Sequence, residues 1–189
     1  MRAFLLITPL IVAAGCNDIS SQPKPIQVNT PDGTIVADES TVDPMPQMIQ
    51  VITGSELARL QKLGSDAPDF LAKYLPNTPT ANLKDYDSAF RAWQLSTSRQ
   101  HTDAEVVQIL GGYLGNKCVA DLDMEWVKVT DEYGTDYAIR SKTVESMAFP
   151  FSTVMKRVED NEYDFLYGVY HSIKDSISKS RNRQAGESQ

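Results

Sequence analysis

The sequence predicts an α+β fold in which N-terminal helices are followed by a three-stranded antiparallel meander and by C-terminal helices packed on one face. Changes in the spacing of apolar residues indicate this order. The spacing is three and four residues up to Leu114, two residues between 125 and 149, and three and four residues again from Tyr163 onward. The links at 131–134 and 141–143 have the length of hairpin turns, which makes the central strands antiparallel.

The chain begins with a predicted signal peptide at residues 1–15. Arg2 is its positive end, and the uncharged run that follows is shorter than the about 20 apolar residues that a membrane-spanning helix needs. The segment Ala13-Ala14-Gly15-Cys16 then resembles the bacterial lipobox, although Ala13 stands where leucine is commoner. The resemblance implies cleavage before Cys16 and its acylation. The alternative is a secreted protein in which this cysteine carries no lipid.

The expected location is the bacterial cell envelope, with the protein lipid-anchored at Cys16 and facing the periplasm. Several acyl chains on one residue give stable anchoring, since one chain alone holds a protein only marginally. Asn17 follows the cysteine where an aspartate would favour retention at the inner membrane, so the outer membrane is favoured.

Residues 16–48 comprise the lipidated cysteine and a predicted flexible tether, with prolines at 23, 25, 31, 44 and 46. A stretch so poor in apolar residues cannot offset the entropy cost of ordering. Within the tether, two short apolar runs at 26–28 and 34–36 flank a turn-forming segment. These runs could close as a hairpin or add a strand to the domain.

Net charge limits the range of partners. The chain has 18 Lys and Arg against 25 Asp and Glu, a formal charge of -7, and removal of Arg2 with the signal peptide leaves -8. Such a surface repels nucleic acid and anionic lipid headgroups. We therefore expect membrane contact through the lipid, no nucleic-acid partner, and an envelope protein partner of basic character.

A single α+β domain is predicted over residues 49–178, followed by a frayed polar tail at 179–189. Thr53 with Glu56, and Thr102 with Glu105, have the spacing of capping boxes. The first four predicted helices run from Thr53 to Gly64, from Pro68 to Leu75, from Lys84 to Leu95 and from Thr102 to Gly115.

The predicted strands are Glu125–Thr130, Thr135–Arg140 and Val144–Phe149. Alternation puts one set of apolar side chains on their buried face: Val127, Val129, Tyr137, Ile139, Met147 and Phe149. A short helix is predicted over 152–158. A last helix has an apolar stripe of Tyr163, Leu166, Tyr167, Tyr170, Ile173 and Ile177.

Several short motifs recur in a known pattern between 103 and 177. They are Gly112-Tyr113-Leu114-Gly115 at a helix end, Trp126 at a strand start, Asp131-Glu132-Tyr133-Gly134 in a turn, and Phe149-Pro150 followed by Ser152, Val154 and Lys156-Arg157. With these motifs the chain resembles a bacterial family known only as a domain of unknown function, family 3806. The resemblance implies the order helix, meander, helix, and it supplies no catalytic residue.

Few residues suit catalysis or metal binding. Cys118 is predicted to be a buried, inert thiol rather than a nucleophile, because no base is near it in the sequence. Acidic residues occupy the first, third, fifth and twelfth places of an EF-hand-like count, namely Asp121, Asp123, Glu125 and Glu132. Trp126 stands at the sixth place, where that loop requires glycine. We predict no catalytic residue, no metal and no cofactor.

Two functions are open. The first is a non-enzymatic module that binds an envelope protein through the outer face or the edge of the meander, for example an immunity-type inhibitor of a periplasmic toxin. The alternative is an envelope hydrolase acting on peptidoglycan or lipid, which requires a cleft that gathers His101 or His171 with carboxylates. Trp126 and the tyrosines at 163, 167 and 170 are predicted to be core residues rather than a recognition surface.

Overall fold

The computed structural model describes residues 26–30, 33–37, 47–78 and 81–187. The chain divides into two units, residues 1–44 and residues 45–189. The predicted signal peptide and the predicted lipidation site at Cys16 lie outside the described residues. No helix in the described part of the chain combines the length and the apolar character needed to cross a membrane.

The first unit contains the hairpin that was one of the two structures predicted within the tether. Strand β1 (Ile26–Thr30) pairs antiparallel with strand β2 (Gly33–Ala37), and the register joins Thr30 to Gly33 at the turn. The two strands form a sheet of their own. Of the two structures that the sequence leaves open, the hairpin is the one observed, and its apolar runs are close enough in the chain to pair through local contacts.

The second unit mixes helices with an antiparallel sheet, so the α+β class is confirmed. Its elements are β3 (Met48–Val51), α1 (Gly54–Leu63), a 3-10 turn (Gly64–Asp66), α2 (Ala67–Tyr74), α3 (Leu83–Leu95), α4 (Asp103–Asp121), β4 (Met124–Asp131), β5 (Gly134–Ser141), β6 (Met147–Ala148), α5 (Pro150–Asp160) and α6 (Leu166–Glu187). The last helix extends beyond the predicted domain end at 178.

The sheet has four strands in the order β3-β4-β5-β6, all antiparallel, where the sequence predicted three. The additional strand is β3, which pairs with β4 from Met48 opposite Thr130 to Val51 opposite Val127. Local spacing could not reveal this pairing, because the two strands are far apart in the chain and no turn links them.

The predicted buried face of β4 and β5 is wrong, because it combines side chains from opposite faces of the sheet. Val127 lies opposite Ala138, and Trp126 lies opposite Ile139. Trp126 and Ile139 therefore share the face that packs against the helices, while Val127, Val129 and Ala138 form a smaller buried cluster on the other face. Since β4 is apolar on both faces, its alternation did not determine which face meets the main core.

Helix α4 continues past Gly115, where the sequence predicted its end, to Asp121. A Cβ atom on Gly115 would lie 2.2 Å from Cζ2 of Trp126. A Cβ atom on Gly112 would lie 2.6 Å from the backbone nitrogen of Gly64. These glycines are thus sites of close packing inside a helix, and the ring of Trp126 lies directly against the helix backbone.

Helix caps are formed partly by neighbours and partly by distant residues. Thr102 and Glu105 form the predicted capping box of α4. Thr53 makes no side-chain cap, so the box predicted with Glu56 is wrong. The start of α6 is capped from α3, because the buried carboxylate of Asp87 accepts hydrogen bonds from the backbone N–H groups of Leu166, at 2.7 Å, and Tyr167.

Candidate functional site

The outer edge of β3 is the most exposed apolar surface of the sheet. Met48, Ile49 and Val51 are 70%, 40% and 43% exposed, and Gln50 between them is uncharged. Natural edge strands are usually protected by charges, prolines or a covering element. In the described residues no strand pairs with this edge of β3.

Backbone groups of β3 at this edge have no strand partner within the described part of the chain. The N–H group of Ile52 donates to the carbonyl of Trp126 at 3.1 Å, which fixes the alternation of the strand. The backbone groups of Met48 and Gln50, at two-residue steps from Ile52, also point toward β4. The N–H and C=O groups of Ile49 and Val51 therefore point away from the sheet. Another extended chain could pair with them.

A charged cluster fixes α1 close to this strand. Oε1 of Glu56 accepts a hydrogen bond from the Tyr137 hydroxyl at 2.7 Å and forms an ion pair with Nζ of Lys128 at 2.8 Å. The hydrogen bond and charge of Lys128 lower the pKa of Glu56, and the same contact raises the pKa of Lys128. This cluster explains why Glu56 does not cap α1.

The opposite edge of the sheet is closed. Strand β6 pairs only with Ile139 and Arg140, so residues 134–138 of β5 pair with β4 on one side and with no strand of the described residues on the other. There the N–H group of Tyr137 donates to Oδ1 of Asp136 at 2.7 Å, and the Ser152 hydroxyl of α5 donates to Oδ2 of Asp136. One carboxylate thus occupies an edge donor and joins the strand to a covering helix.

The outer face of the sheet exposes less apolar surface than the β3 edge. Val127, Val129 and Ala138 are buried, and Met147 and Phe149 pack against them. At the end of this face a groove of about 470 Å³ lies between the β4–β5 turn and α5. Tyr133 at the turn is 80% exposed, which is the highest value among the described large apolar and aromatic side chains.

His101 does lie in a cleft with carboxylates, the feature that the hydrolase hypothesis requires. The cleft has a volume of about 440 Å³ and is lined by Asp66, Asp69 and Glu105 together with cationic side chains. His171 is on the distant helix α6, where its ring packs against Tyr167 at a centroid distance of 4.2 Å. The two histidines are therefore in separate places.

The polar atoms around His101 are largely used in structural contacts. Its Nδ1 is 3.2 Å from the Tyr74 hydroxyl, and its carbonyl accepts the indole N–H of Trp93. The Glu105 carboxylate accepts hydrogen bonds from both the backbone N–H and the hydroxyl of Thr102, which lower its pKa. These contacts fix the loop that precedes α4.

Cys118 and Trp126 are core residues, as predicted. The thiol is fully buried in α4, and burial raises its pKa to about 12, so it has no thiolate character near neutral pH. Trp126 is 1% exposed, and its indole N–H donates to Oδ1 of Asn116 at 3.1 Å. Tyr170 is buried as well, whereas Tyr167 is exposed and Tyr163 precedes α6 instead of lying in it.

The EF-hand-like acidic residues are not assembled around a site. Asp121, Asp123 and Glu125 pair with Lys117, Lys142 and Arg140, at 2.8, 3.5 and 2.7 Å. Among the described residues no group of three or more His, Cys, Asp and Glu side chains is placed to hold a metal ion.

The second unit is thus a small α+β module with one open and one closed sheet edge. Its residues 90–170 match a family model described as a domain of unknown function (DUF3806), which confirms the family resemblance. The match runs from α3 to α6 and leaves β3 outside it. Comparison with curated proteins and with solved structures gives no significant match.

Proposed function

We propose that this chain is a lipid-anchored envelope lipoprotein that acts as a non-enzymatic protein-binding module. The observation that carries the proposal is the open edge of β3, where exposed apolar side chains accompany outward-pointing backbone groups. An extended segment of a partner can extend such a sheet, with backbone hydrogen bonds supplying affinity and alternate side chains supplying specificity.

Charge favours a different protein over a second copy of this chain. Each mature copy would have a formal charge of -8, so two copies repel each other at long range. A basic envelope protein is attracted by the same field, and the strand Met48–Val51 has no charge of its own to oppose its approach. An immunity-type inhibitor of a periplasmic toxin is one form of this function.

Photocrosslinking in the native envelope tests the edge directly. A photoreactive residue is placed at Ile49 or at Val51, and a matched control is placed at Tyr167, which is exposed to a similar extent on α6. We expect one stoichiometric protein to crosslink from both β3 positions and not from the control. The purified pair should bind again, and the variant Ile49→Lys should lose that binding. No crosslink, or an equal yield at Tyr167, would contradict the proposal.

Disulfide trapping separates a partner protein from a second copy. In an antiparallel pair of two β3 strands centred on Gln50, the two Gln50 Cα atoms would be about 4.5 Å apart, within the range of a disulfide. Self-association through β3 would thus produce a disulfide dimer of the variant Gln50→Cys. Because we propose a different protein as the partner, we expect this variant to remain monomeric under mild oxidation. Rapid formation of a disulfide dimer would assign the edge to self-association.

The anchor is tested by the variant Cys16→Ala. Without the acyl chains the protein should leave the membrane fraction. Its melting temperature should stay unchanged, since Cys16 belongs to the unit of residues 1–44 and the core to the unit of residues 45–189. A variant that still partitions into the detergent phase would refute lipid anchoring.

The cleft around His101 favours envelope hydrolysis as the second candidate function. Purified protein is assayed on peptidoglycan and on phospholipid vesicles, with His101→Gln compared at a temperature where both proteins are folded. Turnover that depends on His101 would replace the binding proposal. We expect none, because the imidazole and Glu105 are committed to contacts with Tyr74 and Thr102.

A further inference from the structure

We propose that the groove between the β4–β5 turn and α5 binds an arginine side chain with its apolar neighbour on the partner protein. This inference rests on the proposed protein-binding function, which it deepens by naming the chemistry of a second contact. The groove and β3 meet at the same end of the sheet, because Val129 lines the groove and lies opposite Ile49.

The floor of the groove is apolar. Its volume of about 470 Å³ accommodates one large side chain, and its apolar lining includes Val107, Val129, Phe149, Phe151 and Met155. Met155 is exposed on α5, and Phe149 and Phe151 are half-buried. An apolar side chain placed here would remove this surface from water.

The rim of the groove is acidic and has no cation of its own. Asp131 and Asp136 line it, and Glu132 follows in the turn. Neither Lys nor Arg is among the described lining residues, and these three carboxylates form no ion pair within the described part of the chain. The acidic groups Glu56 and Glu125 on the same sheet module differ, because each has a basic partner.

The exposed ring of Tyr133 favours arginine over lysine as the complementary cation. A guanidinium group can stack on an aromatic face while it binds a carboxylate through two parallel hydrogen bonds. Tyr133 and Asp131 both line the groove, and the backbone N–H of Tyr133 donates to Oδ1 of Asp131 at 2.9 Å, which holds the turn in shape. The exposed ring of Tyr133 thus lies beside carboxylates that form no ion pair within the described residues, so both partners of such a contact are present.

The test is an NMR titration of the mature full-length chain, as Cys16→Ala, with three short synthetic peptides. Arginine alternates with leucine in the first, lysine with leucine in the second, and glutamate with leucine in the third. We expect saturable shifts of the Tyr133, Gly134 and Ser152 amides with the arginine peptide, weaker binding of the lysine peptide and none of the glutamate peptide. Equal binding of all three peptides, or no saturable shift at these amides, would overturn the inference.

Variants make the test specific. The double change Asp131→Asn and Glu132→Gln keeps the turn acceptor at 131 and should weaken the arginine peptide by about tenfold. Glu145→Gln, an exposed acid at the opposite end of the sheet, is the matched control and should have no effect. If the acidic variants bind as well as the control, the groove does not recognise a cation.

The two proposals can fail separately. If a partner crosslinks from Ile49 and Val51 but does not shift the Tyr133 and Ser152 amides, the protein-binding function stands and only the groove proposal is contradicted. If the arginine peptide binds the groove but no partner crosslinks at β3, the edge proposal is contradicted and the groove is an independent site.

Discussion

The two edges of the sheet differ in whether their outward-pointing backbone groups are covered. At the β5 edge, Asp136 occupies a free backbone donor and Ser152 brings α5 across the strand. At the β3 edge, the backbone groups of Ile49 and Val51 point away from β4, no strand of the described residues pairs with them, and the two side chains are 40% and 43% exposed. The closed edge stabilises the fold, and the open edge is available for a partner.

Under the proposed function, the difference also separates residues that stabilise the fold from residues that would contact a partner. A change at the closed edge should lower the free energy of unfolding, because it uncovers polar groups that the fold has paired. A change at the open edge should affect binding and hardly affect stability. The family match includes the closed edge and excludes β3, so the open edge belongs to a part of this chain that the match does not describe.

The largest loss of stability is expected at Gly115, which packs against Trp126 of β4, the strand between β3 and β5. Gly115→Ala would place a methyl group against the ring of Trp126 and should destabilise the protein by about 3 kcal/mol. Gly168→Ala in α6 is the control, since its Cβ would meet nothing within 4 Å. Chemical denaturation measures both. Equal stability of the two variants would show that α4 and β4 do not pack as described.

The next largest effect is expected at the closed edge. Asp136→Ala removes the acceptor for both the Tyr137 N–H and the Ser152 hydroxyl, and we expect a loss of about 2 kcal/mol in the free energy of unfolding. Asp136→Asn keeps an acceptor for the Tyr137 N–H and should lose about half as much. If Asp136→Ala is neutral, this carboxylate does not close the edge.

The open edge should tolerate a charge. Ile49→Lys is expected to change stability by no more than about 0.5 kcal/mol, because the side chain is exposed and a lysine stem can cover the same surface. The same variant should abolish strand pairing with a partner. Thermal denaturation and the crosslinking yield are measured on one preparation, and a large loss of stability would place Ile49 in the core instead of at a binding edge.

The smallest effect is expected from the charged cluster beside β3. Because its folded-state pKa is lowered from 4.5, Glu56 contributes stability above that value and loses the contribution as the pH falls through the lowered pKa. The melting temperatures of wild type and Glu56→Gln should therefore differ at neutral pH and converge in acid. A difference that persists in acid would mean that the pair with Lys128 is not its cause.

The elements that the sequence predicted correctly depend on near neighbours. The capping box of Thr102 and Glu105 and the hairpin of residues 26–37 each rest on contacts within a few residues. For the candidate binding site, the sequence predicted only that it lies on the outer face or at the edge of the meander. Its strand, Met48–Val51, is four residues long and follows a proline-rich segment, so no local pattern distinguished it from the tether.

The sequence by itself determined the mixed fold class, the positions of most helices and strands, the acidic charge and the family resemblance, since periodicity and composition are local properties of the chain. Tertiary structure alone decided that β3 joins β4, that Trp126 and Ile139 share a face, and that Glu56 binds Lys128 instead of capping its own helix. These outcomes depend on which distant groups meet when the core closes. The open edge exists because β3 pairs with β4 on one side and with no strand of residues 26–30, 33–37, 47–78 and 81–187 on the other.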